Sequence, residues 1–224
     1  MVIALSHQKG GVGKSTIAYN LAVELAKKYE VEVVDLDVQK TITACNMARD
    51  KFGQEKLYME SFSDHKEFIK FLEADHSDRL IIVDTGGFDS GYNRVAMYYA
   101  DMIITPVSTE FLEILGLQTY RKIIKEISKK ASVKIKVNVV LNKVHHSQQN
   151  FSEIENFINK YPKQFDMFNT KLRRRMDYSV SLSHGFSVCE FDRNSDSSKE
   201  IESLISEIED KLKLNENKKL SRRD

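Results

Sequence analysis

The chain has 224 residues, of which 41% are hydrophobic, and this fraction is enough for the core of one domain and excludes a wholly disordered chain. Its apolar runs are a few residues long, whereas a helix that crosses a bilayer needs roughly 20, so the sequence predicts no membrane span. The 34 Lys and Arg nearly balance the 33 Asp and Glu, but residues 1–120 contain 12 basic and 18 acidic residues, while residues 121–224 contain 22 and 15. A basic second half is typical of a surface that faces a polyanion, although lysines on solvated helices give the same count.

Short apolar runs alternate with segments of helical periodicity along the first two thirds of the chain. Strands are predicted at 2–5, 31–34, 80–83, 102–105 and 137–141, and helices at 17–29, 64–72, 93–99 and 111–128. This alternation indicates a single doubly wound α/β domain over residues 1–214, with a mostly parallel sheet and helices on both faces. The later pattern is mostly helical, with helices predicted at 151–159, 176–183 and 199–214, and residues 215–224 are expected to form a basic, frayed tail.

The strongest motif lies between the first predicted strand and the first predicted helix, and it runs Lys9-Gly10-Gly11-Val12-Gly13-Lys14-Ser15-Thr16. Glycines let the backbone N–H groups wrap around phosphates, and the start of a helix adds its dipole. Lys14 supplies a charge to the β- and γ-phosphates, and the hydroxyl of Ser15 is placed to ligate Mg²⁺. The motif therefore predicts a site for ATP and Mg²⁺ in a P-loop NTPase.

Carboxylates follow two of the other predicted strands. Asp35 and Asp37 come at the end of the second strand, and Asp84 ends the strand at 80–83. An apolar strand that ends in aspartate is typical of a Walker B motif. We therefore expect Asp84 to hold Mg²⁺, usually through a water, and Asp35 is a further possible ligand. Gly86 and Gly87 follow it, and the sequence leaves open whether this pair is a mobile switch that senses the γ-phosphate or a tight turn.

The loop resembles the deviant Walker A motif of the ParA/MinD family of ATPases, because Lys9 precedes the glycine pair and Gln8 stands where the common phosphate loop has glycine. The resemblance implies that Lys9 reaches the phosphates bound by a partner subunit in a nucleotide sandwich homodimer. It also implies that Asp37, in a segment with Val38 in place of the family's proline, positions the attacking water, and that Asn142 contacts adenine. The implied catalytic residues are thus Lys9, Lys14 and Asp37.

The similarity covers most of the chain, and the pattern from Arg175 to Ile201 resembles that of small plasmid-type ParA proteins without an N-terminal helix-turn-helix. It implies a cytoplasmic, nucleoid-associated bacterial ATPase. Such an ATPase dimerises on ATP, binds DNA non-specifically and releases it when a ParB-like centromere-binding protein stimulates hydrolysis. The expected DNA contacts are Lys171, Arg173, Arg174 and Arg175, and the lysine-rich segment 121–136 is as consistent with solvation as with DNA binding.

Three alternatives remain open at this point. A MinD-like ATPase would bind a membrane, for which the tail offers a single leucine. A ParA-like ATPase would position a protein cargo instead of DNA. A metabolic or metal-cluster enzyme could have the same loop, as dethiobiotin synthetase and the nitrogenase iron protein do. The cluster enzymes are disfavoured, because Cys45 and Cys189 are far apart in the sequence and form no paired-cysteine motif.

Overall fold

A computed structural model describes residues 1–214 of the chain. Its strands are β1 (Val2–Leu5), β2 (Val31–Asp35), β3 (Tyr58–Glu60), β4 (Leu80–Asp84), β5 (Met102–Val107), β6 (Val137–Val144) and β7 (Phe165–Arg173). Its helices are α1 (Lys14–Leu25), α2 (Thr41–Lys51), α3 (His65–Glu73), α4 (Gly91–Tyr99), α5 (Phe111–Ala131), α6 (Ser152–Lys160), α7 (Asp177–Ser183), α8 (Val188–Phe191) and α9 (Asp196–Leu212).

The strands form one sheet in the order β3-β2-β4-β1-β5-β6-β7, and every neighbouring pair is parallel. The chain first winds from β1 towards β3 and later continues from β5 to β7 on the other side of β1. Open sheets of this kind bind ligands outside the carboxyl ends of the strands, at the point where the winding reverses. The phosphate loop follows β1 and lies at this point.

Alternating side chains of each strand pack on opposite faces of the sheet, as in any pleated strand. Ile3 and Leu5 of β1 belong to the core that includes α1 and α9. Val2 and Ala4 belong to the core beneath α3 and α4, and the strands from β5 to β7 are covered on this second face by α5 and α6. The prediction of a doubly wound α/β domain is therefore confirmed, and the sheet is parallel throughout.

The strand β7 was not predicted, and no element was assigned to its residues in the sequence. Its buried apolar residues, Phe165, Phe168 and Leu172, are spaced three and four residues apart, which is the spacing of a helix face. Ordinary strand alternation produces this spacing, because Phe165 packs in the core covered by α5 and α6, whereas Phe168 and Leu172 pack in the opposite core with α9. Its pairing with β6 also has two register shifts, between Val139 and Leu141 and between Leu141 and Val144.

The helix α2 and the short strand β3 were also missing from the prediction. The buried positions of α2 have helical spacing, but two of the four are polar, Asn46 and Arg49. Asn46 is satisfied by Leu57, whose N–H and C=O both bond the Asn46 amide. Because two of its buried positions are polar, α2 has no apolar stripe that the sequence pattern could reveal. Asn46 nevertheless fixes the loop that leads into β3.

The predicted tail at 215–224 lies outside the described residues. Among the helices of residues 1–214, none has both the length and the hydropathy needed to cross a bilayer.

The thiols of Cys45 and Cys189 are buried, and burial raises the pKa of each to about 11. Both thiols therefore stay protonated at neutral pH.

Candidate functional site

The phosphate loop runs from the end of β1 into α1, and it needs glycine at two positions. Gly11 has φ 75° and Gly13 has φ 99°, a region that residues with a Cβ adopt only with strain. Gly13 is also the N-cap of α1, and a Cβ added there would lie 2.2 Å from Nδ2 of Asn142. The helix therefore begins at Lys14, where the phosphate-loop motif predicts the start of a helix and three residues before the periodic segment 17–29, with its free N–H groups directed towards the loop.

Two side chains at the end of β6 hold the loop from the other side. The Asn142 amide donates to the carbonyl of Val12 at 2.8 Å, and the Lys143 ammonium donates to the carbonyl of Gly11 at 2.6 Å. These bonds occupy two carbonyl groups of the loop and use none of its N–H groups. The predicted contact between Asn142 and adenine stays a prediction, and the role of Lys143 had no signal in the sequence beyond its position next to Asn142.

Lys14 places its ammonium group in a nearly closed environment, since the residue is 4% exposed. Its hydrogen-bond acceptor is the carbonyl of Lys9, at 3.4 Å. Burial lowers the pKa of Lys14, although the charges of Asp84 and Asp37 act in the opposite direction. A buried ammonium with one weak acceptor is poorly compensated, and a phosphate group would supply the missing charge and acceptors.

Asp84 ends β4, and its carboxylate is fully buried with neither oxygen hydrogen-bonded. Burial raises the pKa of Asp84 to about 7, against the opposing influence of the nearby Ser15 hydroxyl and Lys14 ammonium. A divalent cation would remove this cost. Residues 1–214 contain no group of three or more His, Cys, Asp or Glu that could hold a metal ion by themselves. Mg²⁺ is commonly bound by one or two protein carboxylates together with phosphates and waters, and Asp84 could serve as such a carboxylate.

Asp35 lies next to Asp84 but has structural partners. One oxygen accepts hydrogen bonds from the N–H and hydroxyl of Thr43, at 3.0 and 2.9 Å, and the other accepts from the N–H of Asp37 at 3.2 Å. The Asp37 carboxylate is partly exposed and accepts the N–H of Gln39 at 2.9 Å, which leaves its second oxygen available. Asp84 thus has the greater need of a cation, and Asp37 has the freer oxygen.

Gly87, after β4, packs directly on the phosphate loop. A Cβ added to Gly87 would lie 2.7 Å from Cα and 2.8 Å from N of Gly10, both backbone atoms. No such contact exists for Gly10 itself, whose own Cβ would meet nothing within 4 Å. The glycine at 87 is therefore required for close approach of the loop after Asp84 to the phosphate loop, which couples the two segments mechanically.

Lys9 forms an ion pair with Glu113, on the first turn of α5. The Lys9 side chain is 47% exposed and that of Glu113 is 7% exposed. The backbone N–H of Lys9 donates to Nδ1 of His7 at 3.0 Å. The sequence did not predict Glu113 as a site residue, since 104 residues separate it from Lys9.

The predicted DNA-binding arginines differ in their contacts. Arg173 donates to the carbonyls of His145 and His146, at 3.0 and 2.9 Å, and Arg175 pairs with Glu200 and Asp196. Arg174 is exposed, and its guanidinium has no partner among the residues that the structure describes. Together with the phosphate loop, these arginines line an open cavity of about 1110 Å³.

A second set of cations lies on α5 and the turn that follows it. Five lysines there are exposed and have no ion-pair partner within the described part of the chain: Lys122, Lys125, Lys129, Lys130 and Lys134. Arg121 is instead held over the ring of Tyr161, at 3.7 Å from its centroid, and Lys136 lies 3.7 Å from Asp166. Within the described part of the chain, α5 and the turn after it therefore carry a cluster of unpaired positive charge, and Arg174 adds one more unpaired cation.

The family model described as the CobQ/CobB/MinD/ParA nucleotide binding domain matches residues 3–214. The maintenance of carboxysome distribution protein A of Halothiobacillus neapolitanus is 25% identical over 210 residues, which are 92% of this chain and 95% of that protein. A plasmid partition protein of Borrelia burgdorferi B31, bound to AMPPNP, has a TM-score of 0.66 at 20% identity and covers 94% of this chain and 98% of its own. The cell division protein MinD of Aquifex aeolicus has a TM-score of 0.66 at 16% identity, with 93% and 96% covered. The chain therefore belongs to the CobQ/CobB/MinD/ParA family of nucleotide-binding domains and has the ParA/MinD form of the P-loop fold.

Proposed function

We propose that the chain hydrolyses ATP to ADP and phosphate at the site between the phosphate loop and Asp84. The observation that carries this proposal is the buried, unpaired carboxylate of Asp84 close to the poorly compensated ammonium of Lys14. Loop N–H groups and Lys14 bind the phosphates. Ser15 and Asp84 would hold Mg²⁺, with Asp35 as a further possible ligand, and the metal when bound neutralises phosphate charge.

In this mechanism Asp37 orients the attacking water. One oxygen of its carboxylate accepts a hydrogen bond from the N–H of Gln39, and the other can accept a hydrogen bond from the water. The water oxygen forms a bond to the γ-phosphorus in line with the departing oxygen, and the bond from the γ-phosphorus to the bridging β-phosphate oxygen breaks. ADP and inorganic phosphate are the products, and positioning and charge stabilisation supply the acceleration.

Two variants test this assignment by separating binding from turnover. Lys14→Ala removes the charge that holds the phosphates, so we expect loss of ATP binding in calorimetry. Asp37→Ala keeps the phosphate contacts, so we expect ATP to bind normally and phosphate release to fall by about 100-fold or more, the range for a positioned acid–base group. Turnover of Asp37→Ala equal to that of the parent contradicts the role of Asp37.

The cellular role proposed for this activity is DNA partition. ATP brings two subunits together with Lys9 of each at the other's phosphates, and the dimer doubles the number of exposed cations, among them the α5 lysines and Arg174. Contacts from these residues to DNA phosphates are independent of base sequence, and Lys171, Arg173 and Arg175 would add further contacts. A ParB-like centromere-binding protein stimulates hydrolysis, and the dimer separates from DNA. The AMPPNP-bound plasmid partition protein of similar fold supports this role.

A second candidate keeps the same ATPase cycle but moves a protein cargo. It is favoured by the relative from Halothiobacillus neapolitanus, whose name refers to carboxysome distribution and which matches over nearly its whole length. The two roles differ in the partner that stimulates hydrolysis, not in the nucleotide site. Stimulation of turnover by a centromere-binding protein supports partition, whereas stimulation by a cargo adaptor alone supports the second candidate.

Membrane binding is the third alternative, and co-sedimentation distinguishes it. The chain with Mg²⁺ and ATP is mixed either with duplex DNA of arbitrary sequence or with vesicles of anionic lipid. The proposed function predicts pelleting with DNA only, and loss of that pelleting when ATP is omitted. Pelleting with vesicles and not with DNA supports a MinD-like role.

A further inference from the structure

Glu113 is a buried carboxylate that reaches the phosphate loop from another element. It lies in the first turn of α5, where the helix dipole favours a negative charge, and it lines the same cavity as Lys9 and the loop glycines. Its Oε1 accepts a hydrogen bond from the ammonium of Lys9. Its Oε2 is buried without any hydrogen-bond partner. The charge of Glu113 is therefore compensated chiefly through Lys9.

The backbone of Lys9 is fixed while its side chain is not. Its N–H is bonded to His7, whose pKa burial lowers to about 4, so the ring is neutral at neutral pH and its Nδ1 stays an acceptor. Its carbonyl accepts from Lys14. The Lys9 side chain is about half exposed, and Glu113 is the acidic group that holds it. Lys9 can therefore change its partner by rotation of its side chain alone.

Such a change of partner has a definite cost. If Lys9 leaves, Glu113 remains as a buried carboxylate with neither oxygen compensated, which is the unfavourable case of a broken buried pair. An incoming group must therefore attract Lys9 more strongly than Glu113 does. A triphosphate carries enough negative charge to do this, and a diphosphate carries less.

We propose that Glu113 is a positioning residue that holds Lys9 within its own subunit until ATP is bound on both sides of the dimer. The proposal rests on the role of Lys9 across the dimer in the function proposed above. In this arrangement, dimer formation requires Lys9 to leave Glu113 and to contact the phosphates that the other subunit binds. The ion pair thus opposes premature dimers and sharpens the response to ATP over ADP.

The experiment measures the dimer dissociation constant by sedimentation equilibrium, with Mg²⁺ and saturating AMPPNP. Glu113→Gln keeps the shape of the side chain but removes the buried charge, so we expect the dimer to be at least about tenfold tighter than in the parent. Glu110→Gln is the matched control, because Glu110 lines the same cavity and has no ion pair among the described residues. It makes the same change in charge and should leave the dissociation constant as in the parent.

Thermal unfolding without nucleotide checks that each variant is folded. Glu113→Leu is the second variant, since an apolar side chain of similar size suits a buried position, and it should also give a tighter dimer. If the parent dimerises and both Glu113 variants dimerise equally or more weakly, Glu113 does not restrain Lys9 and the proposal fails. If the parent itself stays monomeric with AMPPNP, the proposed function fails instead.

Discussion

Asp35 and Asp84 are paired in register on the adjacent strands β2 and β4, but their carboxylates lie in opposite environments. Both oxygens of Asp35 accept hydrogen bonds, from Thr43 and from the backbone of Asp37. Both oxygens of Asp84 are buried and accept none. One carboxylate therefore stabilises the fold, and its neighbour carries a charge that the nearby Ser15 and Lys14 compensate only in part.

Substitution of these two aspartates should change stability in opposite directions. Asp84→Asn removes an uncompensated buried charge, so we expect the melting temperature of the nucleotide-free protein to rise while Mg²⁺-dependent turnover is lost. Asp35→Ala removes hydrogen bonds to a charged group and should destabilise the fold by about 1–3 kcal/mol. Thermal unfolding of both variants checks this. A lower melting temperature for Asp84→Asn at neutral pH would show that its carboxylate has a structural partner.

Gly87→Ala should separate the loop after Asp84 from the phosphate loop. The added methyl group would lie 2.7 Å from Cα of Gly10, so one of the two segments must shift, at a cost of about 1–3 kcal/mol for overpacking. We expect a lower melting temperature without nucleotide and weaker ATP binding. Gly10→Ala is the control for stability, because its methyl group meets nothing within 4 Å. Equal melting temperatures for the two variants would contradict the packing of Gly87 on the loop.

Arg49→Met should be the most destabilising of these changes. Arg49 is buried, donates to both oxygens of Glu190 at 2.7 and 3.0 Å, and also donates to the carbonyl of Gly185. Removal of one partner of a buried pair leaves an uncompensated charge and costs about 3–5 kcal/mol. Lys56→Met breaks an exposed pair with Asp50 and should cost less than about 1 kcal/mol. Urea denaturation of both variants measures the difference.

The same pair predicts a pH dependence. Burial acts to raise the pKa of Glu190, but the hydrogen bonds from Arg49 and Ser187 outweigh it and hold the pKa below the ordinary 4.5. A carboxyl group whose pKa is lowered in the folded state stabilises the protein at pH values above 4.5. This stabilisation is lost as the pH falls through the folded-state pKa. We therefore expect the stability difference between the parent and Arg49→Met to narrow in acid. A difference that is constant from pH 7 to below 4.5 would show that the pair does not respond to the charge of Glu190.

DNA affinity should depend on salt through the lysines of α5. If Lys125 contacts a phosphate, Lys125→Gln lowers the slope of log affinity against log salt by about 1. Lys70→Gln on α3 is the control, since Lys70 is also exposed and without an ion pair in the described chain, but lies at the other end of the sheet. Anisotropy titrations at several salt concentrations give the slopes. A slope that is unchanged in Lys125→Gln, or equally reduced in Lys70→Gln, would contradict a DNA surface on α5.

The sequence predicted the parts of the site that are contiguous or that end a buried strand. The phosphate loop has its glycines, lysine and serine in one run, and Asp84 follows four apolar residues whose length and β-branched composition favour a buried strand. Residues whose partners are distant in sequence could not be found in this way. Glu113 contacts Lys9 because α5 follows β5, the strand next to β1. Lys143 contacts Gly11 because β6 pairs with β5.

The second half of the chain was harder to predict for a related reason. No strand was predicted at residues 165–173, and without β7 the docking of α9 on this strand could not be inferred. Arg173 and Arg175 therefore stood in the sequence as two free cations of a basic cluster. In the fold, Glu200 of α9 binds the backbone N–H of Arg173 and the guanidinium of Arg175. Charge counted along a sequence does not show which cations are already paired.

ATP controls DNA binding in the proposed cycle, and the affinity of the parent for a fluorescent duplex of arbitrary sequence tests this control most directly. Anisotropy is measured with Mg²⁺ and ATP, with ADP, and without nucleotide, and Asp37→Ala is included to maintain the ATP-bound state. The near-neutral chain should bind weakly without ATP and tightly with it, and Asp37→Ala should bind at least as tightly. Equal affinity in all three nucleotide conditions would contradict this account.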